Sequence, residues 1–137
     1  MIFVDTGVWF EAAAREGSPA DSARAALRAA HGQLATSDPV LAELWNLLQR
    51  FGHVHLATPT CADIAVTATM LSIDDGVRRQ ILGLQRAWYD QRFSYTDASS
   101  FVLMEHHGID TVLSFDPHFR AYRAGPRRSR AWRVLPE

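Results

Sequence analysis

Short apolar runs that end on an aspartate occur near both ends of this chain, and they constrain its fold more than any other feature. Residues 2–4 precede Asp5, and residues 111–115 precede Asp116. Both runs lead into segments with helical character, and strands that alternate with helices are typical of a parallel α/β sheet. Ligands of such sheets bind beyond the carboxyl ends of the strands. The sequence therefore predicts that the two acids meet at one edge of a sheet.

The segments between these runs predict the remaining elements. We expect helices at 6–15, 18–31, 38–51, 74–88 and 97–107, a short helix at 118–122, and further strands at 34–37, 70–73 and 132–135. Ser18-Pro19 and Asp38-Pro39 fit helix caps followed by a first-turn proline. Between residues 52 and 75 a helix begins either at Thr58-Pro59 or nearer His53. The prediction is a three-layer α/β/α domain over residues 1–137, with a mostly parallel sheet of four to five strands.

Composition excludes several classes of protein. All 14 cationic residues are arginines, so the chain has no lysine for a P-loop, a Schiff base or a receiver domain. With a net charge of −1, affinity for nucleic acid has to come from a local patch. The chain has a lone cysteine, Cys61, and its opening residues lack the pattern of a secretory leader. We expect a cytoplasmic protein with no membrane partner.

Acids are the candidate site residues. Asp97 enters the helix that precedes the last acidic strand end, and Glu43 stands at the border of the apolar face of helix 38–51. Taken singly, Asp97 and Asp116 also fit helix N-caps. Gathered together, carboxylates repel: two unit charges about 5 Å apart cost roughly 3 kcal/mol at an effective dielectric of 20. A divalent cation offsets this, and an oxygen-only set without histidine or cysteine favours Mg²⁺ or Mn²⁺.

Four segments in register carry a resemblance to a known family. They are I-F-V-D-T at the start, L-A-E-L-W in the helix with Glu43, Y-T-D-A-S-S-F, and V-L-S-F-D-P-H-F. With them the chain resembles PIN-domain endoribonucleases, and specifically the VapC-type toxins of toxin–antitoxin pairs. The resemblance implies a metal site formed by Asp5, Glu43, Asp97 and Asp116, supporting roles for Thr6 and Ser114, and cleavage of RNA to a 3′-hydroxyl and a 5′-phosphate. Gly7 departs from the serine or asparagine common in the family.

Two functions follow from these residues. The first is a metal-dependent endoribonuclease, a toxin held in check by a VapB-like antitoxin; the second is a regulatory module of the same fold that binds RNA or protein without catalysis. All four acids are present, which favours the nuclease. The resemblance also implies a homodimer, and we expect Trp9, Phe10 and Trp45 to lie on the shared surface, because exposed aromatic residues are enriched at interfaces.

Arginines near the C-terminus are the candidate RNA-binding residues. Six of them fall in the last 18 residues, after the strand end that carries Asp116: Arg120, Arg123, Arg127, Arg128, Arg130 and Arg133. An acidic site repels phosphate, so we expect the arginines beside it to hold the RNA backbone. The sequence does not reveal an aromatic platform on which unpaired bases would stack.

Overall fold

Short strands alternate with helices along the chain, in a computed structural model that describes residues 1–137. The strands are β1 (Ile2–Val4), β2 (Leu34–Ser37), β3 (Thr69–Leu71), β4 (Thr111–Leu113), β5 (Arg123–Ala124), β6 (Arg130–Ala131) and β7 (Arg133–Leu135). The helices are α1 (Thr6–Ala14), α2 (Ser18–Ala29), α3 (Asp38–Arg50), α4 (Val54–Thr67), α5 (Asp75–Ala87), α6 (Tyr95–His106) and α7 (His118–Ala121). A 3₁₀ turn at Pro126–Arg128 separates β5 from β6.

A five-stranded sheet in the order β3-β2-β1-β4-β7 forms the centre of the fold. All four neighbouring pairs are parallel, and β5 and β6 make a separate antiparallel ribbon. In the pairing of β1 with β4, Val4 lies opposite Leu113. The residues that follow these two strands therefore emerge side by side at the carboxyl edge of the sheet. The predicted α/β fold is confirmed, with a parallel sheet of five strands.

Helix α6 is the most deeply buried helix of the chain. Every residue from 97 to 104 is buried, including the polar Ser99 and Ser100. Their hydroxyl groups donate to the carbonyl oxygens of Tyr95 and Thr96, at 2.6 Å and 2.8 Å. Buried hydroxyls have to be hydrogen-bonded, and these bonds satisfy them within the helix. The small serine side chains thus allow α6 to enter the core without leaving polar groups unpaired.

Aromatic packing holds α7 against α6. The ring of Phe101, one turn after Asp97, lies edge-on to the ring of Phe119 at 5.0 Å. The Phe101 ring also stacks on Tyr122, with 4.3 Å between the ring centroids. Such pairs stabilise by about 0.5–1.5 kcal/mol each beyond the area they bury. Because Phe119 directly follows His118, this packing fixes the position of His118 relative to Asp97.

Several predicted boundaries are wrong by one or two residues. Helices α2 and α3 begin at Ser18 and Asp38 themselves, and neither side chain caps its helix. Proline is favoured in the first helical turn, where its fixed φ fits and its missing N–H is no loss, and at both sites the helix starts one residue before the proline. Helix α6 begins at Tyr95 and not at Asp97, and α4 begins at Val54, close to the His53 alternative. Strand β3 begins one residue earlier than predicted, and β4 and β7 are shorter.

Two of the three aromatic residues predicted at a shared surface are buried. Trp9 and Phe10 are each 7% exposed, whereas Trp45 is 38% exposed. Helix α1 packs against α2, α3 and α4, so both of its sides lose their access to solvent. The prediction is wrong for Trp9 and Phe10.

None of the helices combines the length and hydropathy that a membrane-spanning segment requires.

Candidate functional site

Ser114 links the acids of β1 and β4. Its hydroxyl donates to Asp5 Oδ2 at 2.9 Å and accepts from the backbone N–H of Asp116 at 3.0 Å. Its own N–H donates to the carbonyl oxygen of Leu135 on β7. One side chain, 3% exposed, therefore connects the carboxyl ends of two strands and orients the acid that follows each of them. The polar residue implied by the family resemblance lies directly between two predicted site residues.

Asp97 combines a helix-capping role with a place in the site. Ser94 and Asp97 form a capping box, in which the Ser94 hydroxyl accepts from the Asp97 N–H at 2.9 Å and Asp97 Oδ2 accepts from the Ser94 N–H at 3.1 Å. The same Oδ2 lies 2.7 Å from Nδ1 of His118. Capping and clustering, which the sequence presents as alternatives, are both present at this residue.

Asp116 is the more open acid of the cluster. Its Oδ1 accepts from the N–H of His118 at 2.9 Å, which orders the start of α7. The same oxygen lies 3.5 Å from His118 Nδ1, and the Asp116 side chain is 34% exposed against 7% for Asp97. His118 therefore stands between two carboxylates, one buried and one accessible to solvent.

His118 is a residue that the sequence reasoning missed. Asp97, Asp116 and His118 each offer one ligand atom, and these atoms all lie within 4.8 Å of one another. The predicted ligand set contained oxygen atoms only, whereas the structure places a histidine nitrogen beside two of the acids. A signal was present, because His118 follows Asp116 by two residues at the end of a strand, but its approach to Asp97 depends on the packing of Phe119 in the core.

Asp5 is a buried acid close to the other two. It is 5% exposed, and its pKa is raised from 3.8 to about 7, chiefly because burial disfavours the charged form. The neighbouring charges of Asp97 and Asp116 contribute to this rise, while hydrogen bonds from the backbone of Thr6 and the side chain of Ser114 oppose it. The three aspartates predicted to converge are thus close enough to repel one another.

The donor set fits a divalent cation. Carboxylates supply the oxygen ligands that Mg²⁺ and Mn²⁺ prefer, and the buried Asp5 lacks any cationic partner. Thr6 Oγ1 is buried beside Asp5 and has no hydrogen-bond partner, which is unusual for a buried hydroxyl. Ser37 Oγ, at the carboxyl end of the adjacent β2, is also buried and unpaired. The carboxyl edge of the sheet therefore contains a buried acid without a cationic partner and two buried hydroxyl groups without hydrogen-bond partners.

Glu43 lies apart from this hydrogen-bonded cluster. It stands half-buried on α3, a helix that packs against α1 and α6, which begin at the acidic edge with Asp5 and Asp97. The carboxylate of Glu43 makes no hydrogen bond or ion pair with any residue of the cluster. Its place in the site stays a prediction.

The arginine-rich segment, residues 127–133, packs away from Asp116. Arg128 donates to the carbonyl oxygen of Ala87 at the end of α5, at 2.7 Å, and its guanidinium lies 3.9 Å from the ring centre of Trp88. The segment then enters β7 at Arg133, opposite Thr111, the first residue of β4. The segment therefore lies at the amino ends of the strands, whereas the acids lie at their carboxyl ends. The prediction that this segment lies beside Asp116 is wrong.

The individual arginines differ in their contacts. Arg123 donates to the carbonyl oxygen of Tyr122 at 2.9 Å, and the guanidinium of Arg130 lies against Gly125. Arg120, on α7, and Arg127 are exposed and make no side-chain hydrogen bond. RNA binding by these arginines stays a prediction.

Replacing Ser94 by alanine is expected to lower the free energy of unfolding by about 1 kcal/mol, because it removes one bond of the capping box. Urea denaturation measures the change. Ser129→Ala is the matched control, since Ser129 is exposed and makes no side-chain hydrogen bond. Equal stability of Ser94→Ala and the control would contradict the capping role.

The family follows from comparison with known proteins. The chain belongs to the PIN-domain family, whose model matches residues 2–125. It is 33% identical over 129 residues to the 23S rRNA-specific endonuclease VapC20 of Mycobacterium tuberculosis, an alignment that covers 88% of this chain and 93% of the relative. The resemblance to VapC-type toxins is confirmed, and the chain is homologous to a ribonuclease of that type.

Solved structures show the same fold. The crystal structure of M. tuberculosis VapC20, described as a sarcin-ricin loop cleaving toxin, matches with a TM-score of 0.81 and 24% identity, over 88% of this chain and 94% of that one. A toxin–antitoxin complex from Klebsiella pneumoniae matches with a TM-score of 0.66 and 14% identity, over 99% and 97%. VapBC2 from Rickettsia felis, bound to a promoter DNA fragment, gives 0.68 and 14%, over 88% and 92%. At these identities the likeness shows the fold alone.

Proposed function

We propose that this protein is a metal-dependent endoribonuclease and the toxin of a toxin–antitoxin pair. The observation that carries the proposal is the convergence of Asp97, Asp116 and His118 close to the buried Asp5, at the carboxyl edge of a PIN-family sheet. Homology to a VapC endonuclease supports the same reaction class. A binding module without catalysis is not favoured, because the complete acid set is retained.

The residues divide into a buried layer and an exposed layer. Asp5 and Asp97 are the buried acids, and with Asp116 and Glu43 they are the proposed ligands of Mg²⁺ or Mn²⁺. When bound, such a cation lowers the pKa of a water molecule and stabilises the charge that develops on a phosphate. Ser114 orients Asp5 through its hydrogen bond, and the unpaired hydroxyl of Thr6 is a proposed supporting group of the site.

The exposed layer is where RNA has access. Asp116 and His118 have side chains that are 34% and 33% exposed, so a phosphodiester can approach over them. His118 is the one member of the cluster with a ring nitrogen as a hydrogen-bonding group; its Nδ1 contacts Asp97, and its Nε2, which makes no hydrogen bond within the chain, is the atom that we propose for a phosphate oxygen. In the reaction, the oxygen of water bonds to phosphorus and the bond to the 3′ oxygen breaks. The products are a 5′-phosphate and a 3′-hydroxyl that gains the proton.

The proposed substrate and partners rest on the relatives. The name of VapC20 supports ribosomal RNA as the substrate class, and the neighbouring complexes support an antitoxin of the VapB type. We further propose a homodimer in the cytoplasm, with the exposed Trp45 on α3 as a candidate contact. A monomer at high micromolar concentration by light scattering would contradict the dimer.

Purified protein incubated with ribosomes and Mg²⁺ or Mn²⁺ tests the activity. Mapping of new RNA 5′ ends is expected to reveal a discrete cut in 23S rRNA, and the new ends should carry a phosphate. EDTA is expected to abolish the cut. Cleavage confined to transfer RNA would contradict the substrate, and intact RNA with either metal would contradict the nuclease.

A further inference from the structure

Exposed aromatic residues lie close in sequence to two of the clustered carboxylates. Tyr95 precedes Asp97 by two residues and is 49% exposed, and Phe115 directly precedes Asp116 and is 40% exposed. Neither ring packs against another aromatic ring. In the core close by, Phe93 and Phe101 pair edge to face at 5.0 Å. Two aromatic rings without an aromatic partner therefore lie open to solvent on the segments that carry these acids.

Tyr95 forms one wall of a groove between α5 and the start of α6. The groove has a volume of about 320 Å³, and α5 lines it with Leu82, Gln85 and Arg86. That volume suits a small ligand or one group of a larger one. Ser94, also in the lining, is joined to Asp97 by the capping box, and the ring of Phe93, in the same lining, lies 5.2 Å from the ring of His118, so the groove adjoins the cluster.

The lining of this groove has the chemistry that recognises an unpaired nucleotide. Single-stranded bases stack on exposed aromatic rings, and their edges hydrogen-bond to side-chain amides. Tyr95 supplies the ring, Leu82, 53% exposed, supplies an apolar contact, and Gln85 supplies the amide. The Arg86 guanidinium makes no ion pair within the chain, so its charge is available to a phosphate. A cation is needed here, since the neighbouring carboxylates repel the RNA backbone.

We propose that this groove is a nucleobase subsite in which Tyr95 stacks on an unpaired base next to the cleaved phosphodiester. Phe115 offers a second stacking face beside Asp116. The inference rests on the proposed ribonuclease function and deepens it, because it selects RNA whose bases beside the cleaved bond are unpaired, as in a loop. A continuous duplex, with its bases stacked on one another, does not fit.

Steady-state kinetics on a synthetic RNA hairpin that contains the mapped cleavage site test the subsite. Tyr95→Ala is expected to raise KM about tenfold and to change kcat by less than about twofold, because stacking acts mainly on binding. Tyr95→Phe keeps the ring and should recover most of the lost affinity. The slope of log KM against log salt should stay that of wild type, since no charge is removed. Tyr89→Ala is the matched control, because Tyr89 is 81% exposed and lies outside the groove.

Abasic nucleotides identify the stacked base. When the base at one position beside the cleaved bond is removed, wild type is expected to lose affinity about as much as Tyr95→Ala does, with no further loss in the variant. If the losses of affinity from Tyr95→Ala and from an abasic nucleotide add at every position, the proposed subsite is overturned. An unchanged KM in Tyr95→Ala would also overturn it and would leave the groove to a protein partner. Since wild type is assayed on the same RNA, absence of any cleavage would instead contradict the proposed function.

Discussion

Asp97→Asn and Asp116→Asn are each expected to leave the protein folded and to lower RNA cleavage about a thousandfold or more. The loss corresponds to several kcal/mol of transition-state stabilisation by a bound cation. Folding should be retained because asparagine keeps an oxygen that accepts the local backbone bonds, from Ser94 to residue 97 and from His118 to residue 116. Cleavage is measured at fixed Mn²⁺ concentration, and folding by circular dichroism.

Thermal unfolding separates the metal site from helix capping. A cation that binds only the folded state stabilises it by about 2.7 kcal/mol at a hundredfold excess over Kd. The melting temperature of wild type should rise with Mn²⁺, and that of both variants much less. Asp74→Asn is the matched control, because Asp74 caps α5 through the N–H of Val77 and lies outside the cluster. Equal shifts in all proteins, with cleavage retained, would show that these acids do not bind the metal.

Asp5→Asn is expected to raise the free energy of unfolding of the metal-free protein by roughly 2–4 kcal/mol at pH 8. The pKa of Asp5 is about 7 in the folded state against 3.8 for an ordinary aspartate, so the folded chain holds the proton more tightly than the unfolded chain. Wild type therefore loses stability as the pH rises from about 4 to 7, and asparagine, which cannot ionise, removes that loss.

Urea unfolding in EDTA at a series of pH values measures this effect. The difference between Asp5→Asn and wild type should grow from about pH 4 to 7 and become constant above pH 8. The exposed Asp63, which makes no side-chain hydrogen bond, gives a control variant, Asp63→Asn, for which no such trend is expected. A constant difference across the whole range would contradict the raised pKa. The stabilised Asp5→Asn protein should also be inactive, as expected where function requires unfavourable burial of charge.

Much of the site could be predicted because its signals are local. An apolar run followed at once by an acid identifies Asp5 and Asp116 without knowledge of the rest of the chain. Asp97 is identified by its place at the entry of the helix that precedes the last acidic strand end, although that helix begins two residues earlier. His118 could not be found in this way, because its contact with Asp97 arises from the packing of Phe119 on Phe101. Contacts between residues on different elements leave no periodic pattern in the sequence by which they could be recognised.

Composition was the least reliable guide. The number of aromatic residues suggested exposed rings on α1, but Trp9 and Phe10 are buried because that helix has helical neighbours on several sides. The exposed rings near the site are Tyr95 and Phe115, which the sequence did not single out. The number and type of residues in a chain do not show how many helices and strands surround each one. The position of the arginine-rich segment was missed for a similar reason, since it depends on the register of β7 against β4.

The pairing of β1 with β4 has a consequence for synthesis of the protein. Strand β1 leaves the ribosome well before its neighbour β4, which begins at Thr111. Domains form as their segments emerge, and contacts distant in sequence form late. An incomplete nascent chain therefore contains Asp5 without Asp116 or His118. A nuclease assembled in this way completes its active centre only after β4 and α7 have emerged from the ribosome.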